Sequence, residues 1–328
     1  MGDLRAGLVG LGMMGRHHAR VLREIDGVRL VAVADAMGDP HNVAGSTPLC
    51  NSVEELLGHN LDMVVVAVPT IFHEAVGLKF AEAGVHALIE KPLANTLDEG
   101  LNLVDAFESR GLVGAVGHIE RFNPSLQNMR ERIEAGELGD VYQIATRRQG
   151  PFPSRIADVG VVKDLGTHDI DSTSWLAQSP YESVYAQTAL KSGRPHEDLV
   201  VATGRLSNKI VTSHLVNWLS PLKERVTIAT GEKGSLVADT ISADLTFYEN
   251  GVLETAWDSI AAFRGMSEGR IIRYALTKRE PLRVEHEAFR DAILGIRQDI
   301  VTMREGLETL RVAEAILESS RTGNSVKL

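Results

Sequence analysis

Residues 4–25 read LRAGLVGLGMMGRHHARVLREI, and the order of residue types in this stretch decides the fold. Leu4 to Val9 is apolar and β-prone, the turn Gly10-Leu-Gly12-Met-Met-Gly15 follows at once, and Met14 to Ile25 has helical spacing. The pattern is strand, glycine turn, helix. Gly10 permits the tight turn, Gly12 lets a pyrophosphate approach the backbone, and Gly15 allows close helix–strand contact. A bound anion then sits on N–H groups at a helix N-terminus. Glycine turns are common, so context carries the argument. Val28 to Ala34 is a nearly continuous apolar run, as a strand covered on both faces requires, and it ends on Asp35, twenty residues after Gly15. A carboxylate there accepts from the ribose hydroxyls of NAD and repels the 2′-phosphate of NADP. NAD is the expected cofactor, with NADP disfavoured.

The alternation continues outward from this unit. Helices are expected from Ser52 to Leu57, Phe72 to Ala83 and Thr96 to Arg110, the first and last opened by capping-box patterns. Strands are expected at Met63 to Val68, His86 to Ile89 and Val113 to Val116. Strands alternating with helices predict an α/β doubly wound parallel sheet over residues 1–121. Past Asn123-Pro124 the pattern changes. After one helix to Ala135, β-prone stretches at 141–148, 181–190, 198–206, 210–218, 223–230, 235–239 and 245–248 are joined by short polar turns, and helices close the chain near 285–297 and 302–321. Residues 122–328 are therefore expected to form an α+β domain on a mainly antiparallel sheet, serving substrate binding and oligomerisation.

The whole chain has 328 residues and a net charge of −10, so it offers no global attraction for phosphate backbones or anionic lipid. Neither nucleic acid nor membrane is an expected partner. The glycine-broken run Ala6 to Met14 is unlike a signal peptide or a membrane span. The single cysteine, Cys50, has no cysteine partner for a disulfide or zinc knuckle, and a cytoplasmic location fits. No metal site is expected: adjacent His17 and His18 point in different directions on a helix. His73, His86 and His118 read as satisfied core histidines, and Trp175, Trp218 and Trp257 as buried anchors.

Two further clusters carry chemistry. Glu90-Lys91-Pro92 ends the fourth strand of the buried type, at the carboxyl edge where open α/β sheets bind ligands. Asp164-Leu-Gly-Thr-His168 places a carboxylate and an imidazole at i and i+4, one face of an α-helix, with Asp171 and Ser172 nearly on that face. Such a pair suits alcohol oxidation, because the histidine takes the hydroxyl proton as hydride leaves the same carbon.

With these three motifs in order, the chain resembles the glucose-fructose oxidoreductase, inositol dehydrogenase and MocA (Gfo/Idh/MocA) oxidoreductases along essentially its whole length. The resemblance implies NAD(P)-dependent chemistry on a sugar or cyclitol hydroxyl. It makes Lys91 the group that polarises the reacting oxygen, His168 the general acid or base, and Asp164 the group that orients substrate or histidine. The cofactor-lining set is then Gly10, Gly12, Met13, Met14, Gly15, Asp35, Pro69, Glu90 and Lys91. Gly117-His-Ile-Glu-Arg-Phe-Asn-Pro124 and the segment Gly150 to Gly160 resemble the branch that oxidises UDP-N-acetylglucosamine at its 3-hydroxyl. Arg147, Arg148, Arg155 and Lys163 are candidate donors to a diphosphate, with Arg155 and Lys163 the substrate-binding pair beside Asp164 and His168. The alternatives are a free inositol or monosaccharide dehydrogenase, and a non-catalytic dinucleotide sensor on the same scaffold. An exposed face of the second sheet would suit a homodimer or homotetramer.

Overall fold

The strand Met63–Val66 reads MVVV and all four residues are buried, as β-branched side chains covered on both faces of a sheet should be. It is β4 in a computed structural model that describes residues 2–152, 159–251 and 267–328. Around it lie β1 (Leu4–Val9), α1 (Met13–Glu24), β2 (Val28–Ala34), β3 (Leu49–Cys50) and α2 (Val53–Leu57). After it come α3 (His73–Glu82), β5 (His86–Glu90), α4 (Leu97–Glu108) and β6 (Gly114–Gly117). The six strands pair in the order β3-β2-β1-β4-β5-β6, all parallel. The order reverses between β1 and β4, and in such sheets the crevice at the carboxyl ends beside that reversal takes the ligand.

Caps set the helix starts. Thr96 and Glu99 form the expected capping box at α4. At α2 the Ser52 side chain accepts from the Glu55 N–H, but the Glu55 carboxylate reaches Asn51 N–H rather than Ser52, one residue short of a full box. The expected strand to Val68 ends at Val66, where the chain turns toward Pro69.

Two compact units emerge: Met1–Ile119 with Glu280–Arg311, and Glu120–Arg279 with Val312–Leu328. The division at 121 in chain order differs from these units, because residues 280–311, the helix Pro281–Ile293 among them, cluster with the first. Its apolar stripe supplies Leu282 and Phe289 to the core around Leu8, Val33, Val65 and Leu88. The reading placed this helix at 285–297; Pro281 starts it, the position proline tolerates best.

The second unit contains α5 (Pro124–Glu134), β7 (Val141–Pro151), α6 (Thr167–Ala177), β8 (Tyr181–Ala189), β9 (Leu199–Leu206) and β10 (Val211–Asn217). It continues with β11 (Leu219–Gly231), β12 (Gly234–Asp239), β13 (Asp244–Gly251), β14 (Ser267–Tyr274) and β15 (Val326–Lys327). The nine strands run β14-β13-β12-β11-β7-β10-β9-β8-β15, antiparallel except for β7 beside β10. One face buries Ile144, Ala186, Ala202, Val216, Ala229 and Leu236 together with Leu126 of α5, Ile170 of α6 and Ile316 of the closing helix Met303–Thr322. On the alternate positions Tyr185, Val201 and Tyr248 are exposed, the period-two pattern of a sheet packed on one side.

Candidate active site

The glycine turn has the geometry its residues predict. Gly10 sits at φ +93°, and a Cβ there would lie 2.4 Å from the Ala67 carbonyl oxygen. A Cβ on Gly15 would lie 2.0 Å from the Gly10 carbonyl oxygen, so α1 approaches the turn only because both residues are glycine. Gly12 differs: a Cβ there meets nothing within 4 Å, and Gly12 and Met13 are exposed beside half-buried Met14. No side chain caps α1 and its first turn holds no acidic residue. An open backbone surface before an uncapped helix N-terminus fits a dinucleotide pyrophosphate.

Asp35, just past β2, accepts from Leu11 N–H at 2.7 Å through Oδ2 and from Met37 N–H at 2.8 Å through Oδ1. It therefore shapes the glycine turn, a role the spacing did not reveal. A carboxylate with one N–H on each oxygen keeps two further acceptor sites, enough for ribose hydroxyls.

Pro69 opens the turn after β4, and Glu90 ends β5 immediately before Lys91. Buried His73 bridges these loops, with Nδ1 2.9 Å from the Pro92 carbonyl and Nε2 3.0 Å from the Val68 carbonyl, so it is the core histidine its position suggested. The Glu90 carboxylate lies 2.8 Å from His18 Nε2 and also accepts from the Lys91 N–H at 3.1 Å. Burial pushes the Glu90 carboxyl up, but His18 and the Lys91 charge outweigh it and hold it below the usual range. His18 thus belongs to this loop.

In the second unit Asp164 is buried within a π-helical turn, Val162–Gly166, that precedes α6, and His168 is half-buried at the second position of α6. The wider turn corrects the expectation that one α-helix carries both residues: Asp164 and His168 do not share one regular α-helical face. π-turns inside helices recur at functional sites. What holds α6 is a buried ion network. Arg121 binds Asp171 through Nε–Oδ2 at 2.8 Å and Nη2–Oδ1 at 2.6 Å. Arg148 reaches Asp169 at 3.1 Å and Glu120 at 2.9 Å, while Arg225 lies 3.6 Å from Glu120. Burial, joined by repulsion from Glu120, raises the Asp169 carboxyl to about 6 against the pull of Arg148. Sequence reasoning missed this network; its signal was the adjacent Glu120-Arg121 pair and the two carboxylates at 169 and 171 in one helix.

Of the candidate donors to a diphosphate, the two adjacent arginines among the described residues do not share a face. Strand alternation puts Arg147 and Arg148 on opposite faces of β7. Arg147 is exposed and lies 3.0 Å from Glu224, whereas Arg148 is buried in the network above. Lys163 lies 2.6 Å from Glu314, and Arg155, like Trp257, falls outside the described residues. Among the described residues no helix is long and apolar enough to cross a membrane.

The fold and these motifs define a class, a Rossmann-fold oxidoreductase carrying a C-terminal α/β domain. The profile "Oxidoreductase family, NAD-binding Rossmann fold" matches residues 4–118 and "Oxidoreductase family, C-terminal alpha/beta domain" matches residues 130–328. The chain belongs to the Gfo/Idh/MocA oxidoreductase family, and it is an enzyme with an NAD-binding domain. Among its relatives, the UDP-N-acetylglucosamine 3-dehydrogenase of Acidithiobacillus ferrooxidans is 29% identical over 320 residues, covering 96% of both chains. The solved structure of that dehydrogenase superposes with a TM-score of 0.85 at 28% identity, covering 98% of this chain and 99% of its own. The WlbA dehydrogenase of Bordetella pertussis, solved with NADH and UDP-GlcNAcA, gives a TM-score of 0.81 at 25% identity and covers 99% of each chain. Inositol 2-dehydrogenase 2 of Saccharopolyspora erythraea is 32% identical over 207 residues, 60% of each chain.

Proposed function

We propose that the protein is an NAD-dependent dehydrogenase that oxidises UDP-N-acetylglucosamine at the sugar 3-hydroxyl to a 3-keto sugar. The observation that carries this reading is the end-to-end likeness to a UDP-N-acetylglucosamine 3-dehydrogenase, 96% of both chains, against 60% for an inositol dehydrogenase. The slightly higher identity of that shorter match, 32%, keeps free inositol or a monosaccharide as the second reading.

Bound NAD supplies a hydride acceptor, at the nicotinamide ring. Residues 1–121 hold it: Gly10, Gly12, Met13, Met14 and Gly15 under the pyrophosphate, Asp35 on the ribose, and Pro69, Glu90 and Lys91 along the nicotinamide side. Residues 122–328 bind substrate and, through the exposed face of the second sheet, a second copy of the chain. His168 accepts the hydroxyl proton as the same carbon loses hydride, and the C–O bond becomes a carbonyl. Asp164 orients the imidazole or the substrate. Lys91 stabilises the oxygen as it gains alkoxide character, an interaction stronger in the transition state than in the ground state. Arg155 and Lys163 are the substrate-side cations of this reading, Lys163 exchanging Glu314 for phosphate.

The test is NAD reduction, followed at the nicotinamide absorbance band, across UDP-sugars, free sugars and inositols. Turnover confined to UDP-N-acetylglucosamine supports the reading. Turnover of free myo-inositol with UDP-N-acetylglucosamine inert favours the second reading, and dinucleotide binding without any turnover favours a sensor.

A further inference from the structure

Three titratable side chains lie buried together in the first unit: His18 and His286 are 0% exposed and Glu90 is 9% exposed. They form a chain. Glu90 Oε1 lies 2.8 Å from His18 Nε2, and His18 Nδ1 lies 2.8 Å from His286 Nε2, the spacing of hydrogen bonds. The two rings meet edge to face, at 73° and 5.1 Å between centroids. Burial, with His18 adding to it, pulls His286 well below the ordinary imidazole value.

We infer that His18 and Glu90 form a positioning pair that fixes Lys91 relative to the dinucleotide turn. This rests on the role given to Lys91 above. His18 is three residues beyond Gly15 on α1, and Glu90 directly precedes Lys91, so one hydrogen bond ties the helix rising from the glycine turn to the lysine. The second Glu90 oxygen accepts the Lys91 N–H. Room for the carboxylate exists because its register partner on β6 is Gly117, whose Cβ would lie 3.3 Å from the carboxyl atoms. Apolar packing alone would hold α1 against β1 and β2. Buried polar groups are expensive unless bonded, and bonded ones admit only one arrangement, which is what a group acting on a reacting oxygen needs.

The test uses the full chain and two readouts. The first is the rate at which acetic anhydride modifies Lys91, read by mass spectrometry with exposed Lys79 as the internal reference. The second is sugar-dependent NAD reduction. Glu90→Gln raises the Lys91 rate at least about three-fold and lowers kcat about ten-fold, with the unfolding midpoint near that of the parent protein. In a Lys91→Met background it causes no further loss of kcat, because its effect runs through the lysine. His18→Leu cuts the same link from the other side and gives the same result where Glu90→Gln does not fold. An unchanged Lys91 rate, an unchanged kcat in a folded variant, or the same fractional loss with and without Lys91 overturns the inference. A parent protein that fails to reduce NAD with every sugar offered instead speaks against the dehydrogenase reading, and the labelling rate then decides the inference alone.

Discussion

Arg121 and Asp171 face each other as a two-pronged ion pair, at 2.8 and 2.6 Å, with only 9% and 1% of their side chains exposed. Asp171 stands one helical turn beyond His168, so this pair and the Arg148–Asp169 contact fix the rotation of α6 and hence the direction of the imidazole. Removing one partner strands a buried charge, and Arg121→Ala should lower the free energy of unfolding by about 3–5 kcal/mol. Denaturant unfolding measures it; a loss under about 1 kcal/mol would show that water or a neighbour compensates the carboxylate.

His214 links Thr146 at 2.8 Å to the Tyr181 hydroxyl at 2.9 Å inside the second sheet, and burial pushes its imidazole down to about 4. The unfolded chain, with an ordinary value near 6.5, binds the proton more readily across the interval between them. Stability from this site is therefore complete above about pH 6.5 and falls away as the pH drops toward 4, by about 3 kcal/mol at most. His214→Gln should flatten unfolding free energy against pH in that window. A slope equal to that of the parent protein would assign the acid sensitivity elsewhere.

Asp35 separates two cofactor effects. Asp35→Asn keeps an oxygen for the Leu11 N–H but removes the carboxylate charge. The parent protein should favour NAD over NADP in kcat/KM by about 100-fold or more, and Asp35→Asn should narrow the ratio mainly by improving NADP. Equal efficiencies in the parent protein would remove the carboxylate from cofactor selection.

Lys91→Ala and His168→Ala should each reduce turnover by roughly 10² to 10⁴ while dinucleotide affinity changes little for the histidine variant. Single-turnover rates beside NADH fluorescence titrations separate the two quantities. Near-full turnover in either variant would exclude that side chain from proton handling or oxygen stabilisation.

The Rossmann half was legible because each device there is local: a strand, a turn whose Gly10 and Gly15 leave no room for a Cβ beside neighbouring backbone, and a carboxylate at a fixed distance along the chain. The capping box at Thr96 was equally local. What the chain order hid is non-local. The helix Pro281–Ile293 joins the first unit through Phe289, and His286 reaches His18 across 268 residues of sequence. β14, the short strands β3 and β15, and the parallel pairing of β7 with β10 also escaped, since pairing partners leave no mark in a single strand's composition. At the site, Asp164 and His168 were identified by type and spacing, but the π-turn between them was not, because it depends on where the chain must fit one extra residue. Arg147 and Arg148 looked alike in sequence; one-residue alternation sends one to solvent and the other into the network that braces α6.

The most direct measurement supplies UDP-N-acetylglucosamine carrying deuterium at sugar C3 and asks where the label goes. Oxidation at the 3-hydroxyl predicts deuterium in the reduced nicotinamide and a 3-keto sugar as product, with unlinked N-acetylglucosamine a very poor substrate. Unlabelled NADH, or no reduction with this sugar nucleotide while free myo-inositol is oxidised, would contradict the account.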